Sequence, residues 1–171
     1  MKRIFTLVCI AVIGVSSAFA QKKGDMAVGI NLGVAPCLEK SVDVAQGVKD
    51  DIKVTNFGIG VKFQYNILDA LRVEADAEYW FRNNYNDMAD AFIDVHYLFN
   101  VGSKIKVYPL VGVGYAKYGI KDYHMKGVLV NAGVGGECAL ARHISAGLEI
   151  KYQYVKDFQR LPITLGVTYR F

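Results

Sequence analysis

The sequence is poor in several things. Proline and cysteine each occur 3 times in 171 residues. Beyond the N-terminus no stretch reaches the ~18 continuous apolar residues of a membrane-crossing helix. That excludes a helical membrane protein, although 53% of the residues are hydrophobic. Net charge is small as well: +4, or +2 once Lys2 and Arg3 are set aside with the first segment. No basic tract carries interleaved aromatics, so nucleic acid is not a partner. The cysteines form neither a C-x-x-C pattern nor metal-ligand spacing, and no cofactor is implied. The glycine-rich runs do not sit between a strand and a helix in a phosphate-binding pattern. No linker, low-complexity tract or second domain divides the chain.

What is present begins with "MKRIFTLVCIAVIGVSSAFAQ". Lys2 and Arg3 form a basic start, Ile4 to Val15 an apolar core, and Ala18-Phe19-Ala20 a small-x-small cleavage pattern. This predicts a cleaved export signal over 1–20, with 21–171 as one domain.

After residue 25 the apolar pattern has period two, the signature of strands. Eight segments carry it: 26–34, 56–65, 71–80, 91–101, 105–118, 128–138, 144–154 and 162–171. In the third, "LRVEADAEYW", Leu71, Val73, Ala75, Ala77 and Tyr79 alternate with Arg72, Glu74, Asp76 and Glu78. Segments of this length suit tilted strands crossing a bilayer. The connections 66–70, 101–104 and 139–143 read as tight turns. Those at 35–54, 82–88, 119–126 and 156–161 read as longer polar loops, the first much the longest.

Alternation alone does not say which face is wet. A soluble exported β-barrel or sandwich binding protein would bury the apolar face. Three features favour the inverse. The apolar face carries no Asp, Glu, Lys, Arg or His, and a charge at a lipid-facing midplane position costs about 2–4 kcal/mol. The polar face mixes charges of both signs with glycines such as Gly58, Gly60, Gly112, Gly114, Gly133 and Gly135. Glycine weakens an exposed strand but makes room inside a narrow barrel. Aromatics gather at both ends of the apolar face: Tyr65, Tyr97, Phe99, Tyr169 and Phe171 at one, Tyr79, Phe81, Tyr115, Tyr152 and Tyr154 at the other. Two such girdles mark two membrane interfaces. The expected fold is therefore all-β, an eight-stranded antiparallel up-and-down transmembrane β-barrel.

On these residues, and on the ending "TLGVTYRF", the chain resembles the small eight-stranded outer-membrane β-barrels of OmpA and OmpX type, the porin-family outer-membrane proteins. The resemblance implies a Gram-negative outer-membrane location, Sec-type export, and lipids and lipopolysaccharide as surroundings. It also implies that Tyr169 and Phe171 form the C-terminal signal read by the barrel-assembly machinery. A monomer with a role in envelope structure and surface interaction, or a narrow pore, is the function it suggests.

The expected interior charge network comprises Lys62, Arg72, Glu74, Asp76, Glu78, Asp94, His96, Lys106, Glu137, Glu149, Lys151 and Arg170. Pairing Tyr65 with Leu71 sets Lys62 opposite Glu74 and Gln64 opposite Arg72. Pairing Phe81 with Ala89 sets Asp76 opposite Asp94 and Glu74 opposite His96. Both registers can slip by two without changing faces. Buried charges persist only when paired, so the network reads first as a polar plug and second as a narrow ion path. Asp94-Val95-His96 and the Asp122–His124 pair belong to charge networks or loops rather than to a metal site. An enzyme is the rival class: "RHIS" offers His143 and Ser145, as in lipid A-modifying barrels, but at the wrong end and with Ser145 facing inward. Residues 35–54, with Glu39, Lys40, Asp43, Lys49, Asp50, Asp51 and Lys53, are the candidate extracellular ligand surface. Cys37 and Cys138 fall at opposite ends, too far apart for the ~7 Å limit of a disulfide.

Overall fold

The computed structural model describes residues 22–36, 38, 55–81, 86–120, 123–155 and 158–171. The expected signal, 1–20, lies outside them, as do Cys37, Asp122 and most of 35–54. Ten strand segments follow in order: β1 (Met26–Pro36), β2 (Thr55–Leu68), β3 (Leu71–Phe81), β4 (Asn86–Tyr97), β5 (Phe99–Val101), β6 (Ile105–Ile120), β7 (Tyr123–Ala139), β8 (Ile144–Val155), β9 (Phe158–Arg160) and β10 (Ile163–Arg170). They make eight staves. β4 and β5 share one register on β6, with His96 opposite Leu110 and Phe99 opposite Val107. β9 and β10 likewise share one register on β8, interrupted at Pro162. Proline has no N–H to give the ladder, but its carbonyl still accepts from Lys151 N at 2.9 Å.

Every neighbouring pair is antiparallel, and β10 returns to pair with β1 from Ala27–Arg170 to Val34–Ile163. The sheet is a closed eight-stranded barrel. Among the described residues there is no helix long and apolar enough to cross a membrane.

The wet face is inside. Val111 and Val113 are 61% and 62% exposed, whereas Arg72 and Glu74 are 0% exposed. All ten expected girdle aromatics point outward and are exposed. Large inner side chains fit because a glycine often stands beside them on the next strand. Gly58 opposes Trp80 and Gly60 opposes Glu78. A Cβ on Gly60 would lie 2.8 Å from Glu78 Cγ, and one on Gly58 would run into the Trp80 indole. Gly112 leaves the same room for Asp94, its partner on β4. A separate need is met at Gly102, whose φ of 86° suits the turn between β5 and β6.

Two details differ from the sequence reading. Both hairpin registers are shifted by two: Lys62 opposes Asp76, Gln64 opposes Glu74, Arg72 opposes His96, and Glu74 opposes Asp94. An irregularity between Asn66 and Leu68 places Leu68 opposite Leu71, and β4 begins at Asn86, which tightens the second hairpin. The even shift keeps each side chain on its expected face. The loop asymmetry is also weaker than expected. The β6–β7 ladder continues to Ile120–Tyr123, and Val155 pairs with Phe158, leaving two connecting residues in each case. Only the β1–β2 connection is long.

The exposure pattern yields a direct test. Replacing Val111 by Lys is expected to cost about 2–4 kcal/mol in refolding titrations in lipid vesicles. An exposed valine on a soluble protein would tolerate the change. A Gly58→Leu variant, overpacked against Trp80, is expected to lose about 1–3 kcal/mol and to show reduced heat-modifiable gel migration.

Candidate functional site

The candidate site is the barrel interior, which is stacked in layers. At the end carrying the β1–β2 connection, Ala35, Trp80, Met88, Phe92, Ala116, Leu129 and Val155 form an apolar cluster. Toward the other end, Leu98, Tyr108 and Leu110 form a second. Charges lie between and around them. Inward alternation on all eight staves supplies these side chains, so residues far apart in sequence converge.

In the middle layer, Lys62 Nζ lies 3.2 Å from Glu149 Oε1 and 3.6 Å from Glu74 Oε1. Lys151 Nζ lies 3.0 Å from Glu149 and 3.1 Å from Asp94, and sits 4.5 Å from the Phe92 ring centroid. Gln64 donates to Glu74 at 2.5 Å, Asn131 to Asp94 at 2.8 Å, and Tyr108 to Glu149 at 2.8 Å. Toward the short-turn end, Glu137 accepts from Arg72 at 2.6 Å and from Lys106 at 3.3 Å. Arg72 also lies over the Tyr108 ring, 4.7 Å from its centroid.

Asp76 accepts from Asn31 at 3.1 Å but has no ion pair among the described residues. Neither carboxylate oxygen of Glu78 has a hydrogen-bond partner there. The described buried interior holds seven acids (Glu74, Asp76, Glu78, Asp90, Asp94, Glu137, Glu149) and five cations (Lys62, Arg72, Lys106, Lys151, Arg160). The two acids in excess match the two without an ion pair. Arg170, expected to supply counter-charge, sits half-buried at the short-turn mouth and pairs with no acid among the described residues.

Sequence reading missed a second ion pair, beside the apolar cluster. Arg160 binds Asp90, donates to Gln153 Oε1 at 2.6 Å, and lies 4.9 Å from the Trp80 ring centroid. Trp80 Nε1 donates to the same Asp90 at 3.0 Å. The available signal was parity. Asp90 continues the inward set of Phe92 and Asp94, and Arg160 continues that of Thr164 and Thr168, but starting the fourth strand at 91 and assigning 156–161 to a loop cut both strands short.

Glu74, His96 and Glu149 have potential ligand atoms within 4.8 Å of one another, the spacing a metal would need. Their bonding argues against one. Arg72 presents Nε and Nη2 to His96 Nδ1 at 3.2 and 3.0 Å. Arginine only donates, so Nδ1 is an acceptor and Nε2 carries the ring proton. The Lys62 ammonium already takes the place of a cation between the two glutamates. His96 also stacks on Tyr108, with centroids 4.7 Å apart. His124 has a described backbone only.

The remaining candidates are not assembled into a catalytic site. Ser145 is buried on the inner face, whereas His143 is exposed in the turn, with Nδ1 3.0 Å from the Arg170 carbonyl and its ring stacked on Tyr169. Cys138 is a free, half-buried thiol at the short-turn end of β7.

The network gives a testable expectation. Lys62→Met leaves Glu74 and Glu149 facing each other without their bridge, and is expected to cost about 3–5 kcal/mol in urea unfolding from lipid vesicles. Adding Glu149→Gln should recover part of that loss, which a double-mutant cycle would measure.

Comparison with known proteins agrees with this architecture. The family model for the outer membrane protein beta-barrel domain matches residues 5–171. Among solved structures, neisserial surface protein A is 15% identical, with a TM-score of 0.69 over 85% of this chain and 97% of its own. The attachment invasion locus protein Ail of Yersinia pestis is 17% identical, with a TM-score of 0.55 over 87% and 99%. OprG of Pseudomonas aeruginosa is 13% identical, with a TM-score of 0.58 over 91% and 99%. At such identities these likenesses speak to the fold. A search of curated protein sequences found no match. With the family model spanning nearly the whole chain, and the closed barrel wearing its apolar face outward, the chain belongs to the outer-membrane β-barrel protein family.

Proposed function

We propose that this protein is a closed, monomeric barrel of the Gram-negative outer membrane, exported by a Sec-type signal. Its role is to reinforce the envelope and to present a surface segment, rather than to pass solutes. The filled interior carries this reading. Apolar clusters lie toward both ends, and between and around them five of the seven buried acids are ion-paired. An ion crossing such a lumen would have to shed its water and break pairs that are costly to separate. Tyr169 and Phe171, outward and exposed at the end of β10, suit the recognition of the last strand by the assembly machinery.

Surface interaction is assigned to the part of 35–54 that follows the end of β1 at Pro36, the longest connection between the strands; Ala35 itself belongs to the buried apolar cluster. The name of the Yersinia pestis neighbour refers to attachment and invasion, which supports a comparable outward-facing task here. The separated His143 and Ser145 give no support to acyl-chain hydrolysis, and we propose no enzymatic activity.

Planar-bilayer recording on refolded protein is the test. The closed reading predicts no discrete conductance steps, and reproducible steps would overturn it. Deleting 39–53 is expected to leave heat-modifiable migration intact while abolishing any adhesion or phage-receptor phenotype. A deletion strain that retains every such phenotype would remove the surface role.

A further inference from the structure

Among the strand residues whose side chains are described, the outward positions are uncharged with two exceptions, Lys117 on β6 and Lys126 on β7, both exposed. The two are direct register partners. Side chains so placed on adjacent antiparallel strands have Cβ atoms about 4.5–5.5 Å apart, and like charges there repel. Neither lysine has an ion pair among the described residues. The position opposite Lys117 on β4 is Ala89, which offers no counter-charge; the nearest acid of the same parity on that strand, Asp87, lies two residues farther along, opposite Gly119.

Height gives the second observation. Lys117 lies two residues beyond the girdle residue Tyr115, and Lys126 two residues beyond Val128, the register partner of Tyr115. At ~3.4 Å per residue the pair stands about 7 Å farther along its strands, or about 5 Å higher for a strand tilt of about 40°. Aromatic girdles sit at headgroup level, so the ammonium groups emerge where lipid phosphates lie. A repulsive pair at that height becomes favourable when one anion bridges it.

We infer that Lys117 and Lys126 form a binding site for the phosphate of an anionic lipid headgroup in the leaflet at the loop end. The site rests on the chain spanning a bilayer and does not depend on whether the lumen conducts. The ligand is a phosphomonoester-bearing lipid, held by two point charges, with the tyrosine belt below packing against its glycerol or sugar region. Lysine contributes on the order of fivefold in affinity for an anionic surface, so the pair accounts for about tenfold to thirtyfold.

The experiment uses the full barrel refolded into phosphatidylcholine vesicles, with and without 10% phosphatidic acid. Unfolding midpoints in urea and lipid adducts in native mass spectrometry are the readouts. For the wild type, phosphatidic acid is expected to raise the midpoint and appear as a retained adduct. In K117Q/K126Q the adduct falls about tenfold or more. In pure phosphatidylcholine that variant is at least as stable as wild type, because a repulsion has been removed. K117R/K126R retains the lipid effect, and K104Q, at the opposite end, leaves it unchanged. Equal phosphatidic acid preference in wild type and K117Q/K126Q would overturn the site. Equal protection by soluble inorganic phosphate would overturn the lipid as its ligand. A bilayer recording that shows conductance leaves these outcomes where they stand, so the two readings fail separately.

Discussion

Closure of β10 on β1 is the constraint on which the rest of the molecule depends. In hydrocarbon an unpaired backbone N–H or C=O costs several kcal/mol, and only a sheet without edges avoids that cost. The β1–β10 ladder from Ala27–Arg170 to Val34–Ile163 removes the two edges an open sheet would leave. The interruptions at Leu98 and Pro162 are tolerated because the chain bridges them without losing register. Leu98 N donates to Ala70 O at 2.8 Å and Leu161 N to Pro36 O at 3.0 Å, so the ladder passes through both breaks.

Closing eight staves leaves an interior narrow enough that side chains fill it. Two devices make the filling possible. Glycine on one strand admits a large neighbour on the next, as Gly58 does for Trp80 and Gly112 for Asp94. Charges then satisfy one another across the lumen. Arg72 on β3 reaches Glu137 on β7, strands that are not neighbours in the sheet. Lys62 and Lys151 each bridge two acids, so few cations hold many carboxylates. The same pairs that stabilise the interior obstruct it.

The faces were legible from sequence because period two survives any even shift of register. Leu71, Val73, Ala75, Ala77 and Tyr79 could be assigned to lipid, and Arg72, Glu74, Asp76 and Glu78 to the interior, before any pairing was known. Register was not legible to the residue, because the irregularity between Asn66 and Leu68 belongs to the turn and leaves no mark on the alternation. Contacts across the lumen were less accessible still. That Arg72 would meet Glu137 follows from how far strands are staggered on closing, which no local pattern encodes. Arg160 was lost for a simpler reason: Pro162 looks like the edge of a loop, although the strand resumes on its far side.

The staves do not end level. β7 runs from Tyr123, but its pairing with β8 starts only at Leu129–Val155, since β8 turns back into β9. Six residues of β7, Tyr123 to Val128, thus have no ladder partner on the β8 side among the described residues. Backbone groups without a partner would be prohibitive in hydrocarbon and are harmless in water or among headgroups. The stagger therefore draws a waterline on the barrel: on this side the ladder of the described residues that the oily slab requires ends at Leu129 and Val155. Lys126 stands above that line.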